Sequence, residues 1–174
     1  MTPHSKALPP DVARYLADAP QEASQFGFLI GRWSVAGTRW DAEGNIALGF
    51  QAHWRADYLH AGRMLFDDFT VVSASGAELS TFVTLRTYAP ATSRWEIAGL
   101  AALQPGVDGR WNGRADGAEM HLFAELRLAN GRVLHNRIRF HDIEANRFLW
   151  ESRDSLDDGA TWTRTTSLIA TRLG

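Results

Sequence analysis

Among its 174 residues the chain has no cysteine. That excludes disulfides, thiolate metal sites and a cysteine nucleophile, and it fits a reducing compartment. No apolar run reaches the roughly 18 residues of a membrane span, so membrane insertion is not expected. The start, Met1-Thr2-Pro3-His4-Ser5-Lys6, lacks the apolar centre of a signal peptide, and a cytoplasmic location is the expectation. An excess of one charge is also missing: the formal net charge is −2, which offers nothing to nucleic acid and no polybasic run to a membrane surface. No phosphate loop, Ser-His-Asp order or paired-carboxylate pattern stands out. Gly37 and Gly44 read as turn or strand glycines, not as a nucleotide fingerprint. Neither a cofactor nor a metal is expected.

What the chain does have is aromatic side chains in ordinary globular surroundings. Apolar residues make up 45%, with seven Trp, nine Phe and three Tyr, and the length suits one domain with a sizeable core. Rings in this number fill a β core or wall a ligand cavity. They are concentrated early in Phe26-Gly27-Phe28-Leu29-Ile30-Gly31-Arg32-Trp33, directly before the first strand-like segment. Residues 1–25 read as an N-terminal arm and short helix. Pro3, Pro9 and Pro10 interrupt the arm, and Pro10 to Ala23 forms the helix, with Val12, Tyr15 and Leu16 on one face and Pro20 near its end. Residues 26–174 read as one β domain.

From Trp33 onward the apolar period is two. The segment Ile46 to Tyr58 places Ile46, Leu48, Phe50, Ala52, Trp54, Ala56 and Tyr58 on one face. Further strands follow at Met64–Val72, Leu79–Tyr88, Arg94–Leu103, Met120–Leu128, Arg132–His141, Phe148–Asp154 and Thr161–Arg172. The Gly-rich stretch from Pro105 to Gly117 contributes only a short piece around Trp111. The total is about nine or ten strands joined by short turns, with no helix between them.

The late turns set the register. Ala129-Asn130-Gly131 suits a type I turn closed by a left-handed glycine, pairing Leu128 with Arg132, and Glu144-Ala145-Asn146 pairs Ile143 with Arg147. One face then carries Met120, Leu122, Ala124, Leu126, Leu134, Ile138, Phe140, Phe148 and Trp150. The other carries His121, Glu125, Arg127, His135, Arg137, Arg139, His141, Glu151 and Arg153, with cross-strand pairs Glu125–His135 and Arg139–Glu151. A long antiparallel meander hides its edges by closing. With an even number of strands Arg172 comes beside Trp33 and stacks on its indole, capping the floor.

These residues resemble the bacterial lipocalin-like (calycin) proteins of a family of unknown function. The marks are Phe28-Leu29-Ile30-Gly31-Arg32-Trp33 at the entrance, Leu85 to Trp95 in the middle, Phe148 to Trp162, and the ending Ile169-Ala170-Thr171-Arg172. The resemblance covers about Phe26 to Arg172. It implies a single closed up-and-down antiparallel β-barrel with an internal cavity and a short N-terminal helix. Related barrels bind fatty acids, retinoids or haem, and a few act as decarboxylases or cyclases. Haem-binding relatives carry Gly-x-Trp-x-Gly-x-Gly, which Trp33-Ser34-Val35-Ala36-Gly37 breaks.

Inside such a barrel a few residues have chemical potential. The turn Pro90 to Ser93 pairs Tyr88 with Trp95 and Arg86 with Ile97, so Arg86 shares an aromatic face with Phe82, Tyr88 and Trp95. There it anchors a carboxylate or phenolate, or it makes a structural cation–π contact or ion pair, with Asp68 as the partner. Asp68 interrupts the face Met64, Phe66, Thr70 and Val72; an unpaired carboxylate there is a general base, and an exposed one is inert. Asn136 and Ser152 on the apolar face offer uncharged hydrogen bonds to a ligand, or each is a buried group satisfied locally. Trp54, Tyr58 and Trp150 are cavity walls or plain core. His135 and His141 lie about 20 Å apart along one strand and do not share an ion; a solvated outer face accounts for that row.

The sequence therefore points to a barrel that binds a small hydrophobic molecule with one polar or acidic end, held by Trp54, Tyr58, Arg86, Tyr88, Trp95, Asn136, Trp150 and Ser152. A cofactor-independent isomerase, cyclase or lyase is the alternative. There Arg86 stabilises an oxyanion and Asp68 or a histidine moves the proton, on an aromatic or polyketide-like substrate. An interaction module with a filled core is a third reading. Oligomeric state is open, a homodimer included.

Overall fold

The computed structural model describes residues 18–102 and 104–174. It is a closed barrel of ten antiparallel strands with one short helix before them. The strands are β1 (Gly31–Trp40), β2 (Ile46–Leu59), β3 (Met64–Val72), β4 (Glu78–Ala89), β5 (Arg94–Ala101), β6 (Gln104–Asp116), β7 (Glu119–Arg127), β8 (Val133–His141), β9 (Arg147–Ser155) and β10 (Thr163–Arg172). Each pairs with its neighbours in sequence, and β10 returns to β1. Every strand has a partner on both sides, which limits the liability of an open meander.

Closure occurs where the turn and parity argument puts it. Trp33 pairs with Arg172, and the guanidinium carbon sits 4.1 Å from the indole centroid. The same guanidinium donates to the carbonyls of Ile30 at 2.7 Å, Phe28 at 3.1 Å and Ala145 at 2.8 Å. Gly31, at φ +122°, lies against this guanidinium; a side chain would be strained there and would collide with Arg172. The predicted pairs Glu125–His135 and Arg139–Glu151 are in register. So are Arg86–Ile97 and Tyr88–Trp95. The turn at Gly131 (φ 81°) is closed by Leu128 N–H donating to the Arg132 carbonyl at 2.9 Å.

The helix differs from the expected one. Most of the Pro10–Ala23 helix lies outside the described residues, and the helix that is described is a 3-10 helix over Gln21–Leu29. Its three residues per turn put Ala23, Phe26 and Leu29, spaced by three, along one buried edge. Phe26–Leu29, directly before the first strand, is thus part of the helix, which is inserted into the lower end of the barrel. Three aromatic donors hold it there. Trp33 Nε1 donates to the Leu29 carbonyl at 2.8 Å, Tyr58 Oη to the Ala23 carbonyl at 2.8 Å, and Trp95 Nε1 to Gln25 Oε1 at 3.0 Å.

The lower half of the barrel is consequently filled. Phe26 meets Trp95 edge-on at 4.8 Å, and Phe28, Phe140, Phe148, Trp33 and Trp54 continue the packing. The upper half is lined by Phe50, Phe69, Val71, Phe82, Trp111 and Trp150, all half-buried. Trp111 lies over Gly99 and Gly109, where a Cβ would run into its ring.

A second difference concerns β6. The Gly-rich stretch is not a loop with a short strand inside it: it forms one continuous strand of 13 residues. Inward-facing Gly109 and Gly113 make room for Trp111 and Leu122, as Gly99 on β5 does for Phe82, which explains a composition that otherwise suggests a loop. β6 pairs with β5 along most of its length but with β7 only from Asn112–Phe123 to Asp116–Glu119. Above that point β7 continues against β8 to Arg127–Val133, and β6 stays with β5. The barrel wall parts there.

Candidate functional site

Polar chemistry inside the barrel gathers in two places. The lower one centres on Arg86, which is 3% exposed and pairs through Nη2 with Asp67 Oδ2 at 2.7 Å. Its Nε donates to the same oxygen at 2.8 Å and to Thr84 Oγ1 at 3.2 Å. Trp54 Nε1 donates to Asp67 Oδ1 at 2.9 Å, and the Thr84 hydroxyl donates to Asp67 Oδ2. The guanidinium stacks 4.5 Å over Phe26 and 5.7 Å from Phe140, and its Nη1 has no hydrogen-bond partner. Here Arg86 makes the buried ion pair and stacking contact that were the structural alternative to a ligand anchor.

Its partner is not Asp68. β3 carries Leu65, Asp67, Phe69 and Val71 on the face it shares with Trp54 and Arg86, because Trp54 pairs with Phe69 and Leu65 with Arg86. Asp68 points the other way, opposite Arg55 and within 3.2 Å of the Thr70 hydroxyl, so the proposed inner-face general base is displaced by one residue. The signal for Asp67 is in the preceding turn. The loop His60 to Arg63 pairs Leu59 with Met64 and hence Tyr58 with Leu65, which carries the inward parity of β2 onto Leu65 and Asp67.

Trp54, Tyr58 and Trp95 are tied into this filled half by their hydrogen bonds to Asp67, Ala23 and Gln25. Tyr88 stands beside them, 5.7 Å from Trp95. Burial raises the Tyr58 phenol above its ordinary pKa.

The upper cluster contains Asn136 and Ser152. Asn136 Nδ2 donates to Ser152 Oγ at 2.9 Å and to Asp154 Oδ1 at 2.7 Å, while its Oδ1 accepts from Trp111 Nε1 at 2.9 Å. Every polar atom of the Asn136 amide is therefore used. Ser152 keeps its own proton and Asp154 one carboxylate oxygen, and Trp150 lies along the same strand. The expected residues fall into separate groups: Trp54, Tyr58, Arg86, Tyr88 and Trp95 below, and Asn136, Trp150 and Ser152 above.

The parted seam leads to the upper cluster. A cleft of about 530 Å³ follows it, with inward-facing Gly113, Ala124 and Asn136 at its floor. One bank carries Arg94, Arg110 and Arg114; the other carries Glu125, His135, Asp158 and Trp162. His135 lies 3.7 Å from Glu125 and 3.2 Å from Asp158. The arginine bank was missed in the sequence because Arg110 and Arg114 sit on a strand read as a loop, and only the pairing of that strand with β5 brings them beside Arg94. Among the described residues no group of three or more His, Asp or Glu is placed to hold a metal ion, and no helix is long and apolar enough to cross a membrane.

Solved structures with the same architecture are distant in sequence. Rv2717c from M. tuberculosis superposes with a TM-score of 0.63 at 12% identity, covering 90% of this chain and all of the other. The S-type phycobiliprotein lyase CPES from Guillardia theta superposes with a TM-score of 0.55 at 11% identity, covering 86% and 90%. The fold is a lipocalin-like ten-stranded barrel. At such identities the likeness establishes the fold alone. No protein-family model and no curated protein matches the sequence.

Proposed function

We propose that this lipocalin-like barrel binds a small, largely apolar molecule with one acidic end, taken in through the β6–β7 seam. The observation that carries this reading is the 530 Å³ cleft along the seam, whose lining includes the inward-facing Gly113, Ala124 and Asn136. An apolar body has Trp111, Trp150 and Phe82 to cover it in the upper half. Ser152 and Asp154, bridged by Asn136, supply polar contacts at that depth. The acidic end faces the arginine bank outside. This moves the anchoring role away from Arg86, whose charge Asp67 already meets. It also favours binding over proton-transfer catalysis, since the buried carboxylate is neutralised by an ion pair and three donors.

The test is a plug. Ala124 is 8% exposed and sits where the wall parts. Dodecanoate titrated against intrinsic Trp fluorescence is expected to bind the native protein, and Ala124→Phe is expected to weaken it at least tenfold with the thermal midpoint unchanged. Native mass spectrometry of freshly purified protein supplies the natural ligand's mass. Equal dodecanoate affinity in Ala124→Phe, checked for folding by circular dichroism, would exclude entry by this route.

A further inference from the structure

The arginine bank has a charge problem that a ligand would solve. Trp95 pairs with Gly113 and Glu96 with Asn112, so the same register sets Arg94 directly opposite Arg114. Directly opposed side chains have their Cβ atoms about 5 Å apart, and like charges there are destabilising. Neither arginine takes part in an ion pair among the described residues. Glu96, two residues along the strand from Arg94, is turned to Asn112 Nδ2 at 3.1 Å. On the other side Arg114 pairs with His121, whose ring is held by Glu119 at 3.1 Å, and Glu119 is itself paired with Arg139. Glu96 and Glu119 are thus occupied, and the two adjacent guanidiniums carry no ion-pair partner of their own among the described residues. Arg114 is steadied only by its stacking 6.0 Å from Phe123.

Resting on the reading of the seam as a ligand entrance, we infer that the ligand's acidic end is a doubly charged phosphate monoester, bridged by Arg94 and Arg114. One carboxylate satisfies one guanidinium fork. A phosphate offers three terminal oxygens and nearly two charges, which matches two forks side by side. The reach is also right. Arg114 is three residues down β6 from the level of Ala124, about 10 Å at strand rise. A head group held there leaves the first few carbons of a chain to run up the cleft past Asn112 and enter at Ala124 and Asn136. The class of ligand is therefore a phosphorylated amphiphile, with its head outside the barrel and its tail inside.

Three probes with one twelve-carbon chain separate the head group from the tail: dodecanol, dodecanoate and dodecyl phosphate, each titrated against intrinsic Trp fluorescence at fixed ionic strength. Dodecyl phosphate is expected to bind at least tenfold more tightly than dodecanoate and more tightly still than dodecanol. Arg94→Ala/Arg114→Ala is expected to remove that advantage while leaving dodecanol affinity unchanged, and both positions are exposed, so the fold tolerates it. Arg94→Lys/Arg114→Lys is expected to keep only part of the advantage, since charge remains and the fork geometry is lost. If all three probes bind equally, or the double alanine variant keeps the preference, the phosphate inference fails and the seam reading survives. If no probe binds, both fail. Inorganic phosphate bound as tightly as dodecyl phosphate would make this a bare anion site and would also overturn the amphiphile.

Discussion

Replacing Asp67 by Asn probes the charge in the barrel floor with the smallest change of shape. Asp67 and Arg86 are 2% and 3% exposed, so neither charge has water to fall back on. Breaking such a pair from one side leaves a buried uncompensated charge and costs about 3–5 kcal/mol. Asn keeps an acceptor for Trp54 Nε1 or the Thr84 hydroxyl, so the loss reports chiefly on the guanidinium, already short of a partner at Nη1. For a chain of this length each kcal/mol moves the midpoint by about 2–4 °C, so the expected fall is of the order of 10 °C.

Arg86→Met is expected to cost about 3 kcal/mol in turn, by stranding the carboxylate. The double variant Asp67→Leu/Arg86→Met removes both charges. It orphans only the Trp54 and Thr84 donors, at about 1 kcal/mol each or somewhat more. It should therefore be more stable than either single variant. Urea unfolding followed by Trp fluorescence measures all four proteins, and an unchanged m-value confirms that the same surface is exposed in each. A cost below about 1 kcal/mol for Asp67→Asn, or a double variant no better than the worse single, would refute the account of a desolvated pair.

Two further outcomes test other parts of the barrel. Arg172→Ala removes three hydrogen bonds to backbone carbonyls and the stack on Trp33, and is expected to cost about 3 kcal/mol; hydrogen exchange should show loss of protection concentrated in β1 and β10, and uniform protection would speak against a closure role. Glu119 is held at a pKa of about 2, below its ordinary 4.5, first by the hydrogen bond from Arg139. The unfolded chain therefore binds the proton more readily. The resulting stability is complete above pH about 4.5 and is lost as pH falls toward 2. Solvent screening at this partly exposed pair reduces its worth to about 1 kcal/mol. Glu119→Gln should flatten the pH dependence of the urea midpoint in that window, and an unchanged slope would show the pair to be inert.

The alternation along the chain and its turns were enough to determine the barrel, because the period of two is local and a turn of known length transmits parity from strand to strand. Leu128–Arg132, Tyr88–Trp95, Arg139–Glu151 and the meeting of Trp33 with Arg172 all follow from that rule. β3 resisted because Met64-Leu65-Phe66-Asp67-Asp68-Phe69 carries apolar residues and an acid on both faces. Only its pairing with Trp54 and Arg86 decides that Asp67 goes in and Asp68 out. The Gly-rich β6 resisted because glycine reports a loop in isolation, while here it clears space for Trp111 of the same strand and for Leu122 of β7. Tertiary structure alone decided three further things: that a 3-10 helix fills the lower half, that Tyr58 and Trp95 spend their donors on it, and that β6 leaves β7 above Asn112. Each depends on contacts between residues far apart in the chain, where neither period nor turn length carries information. The cleft exists because the wall parts at that seam, and its arginines are opposed because of the register in which β5 and β6 pair.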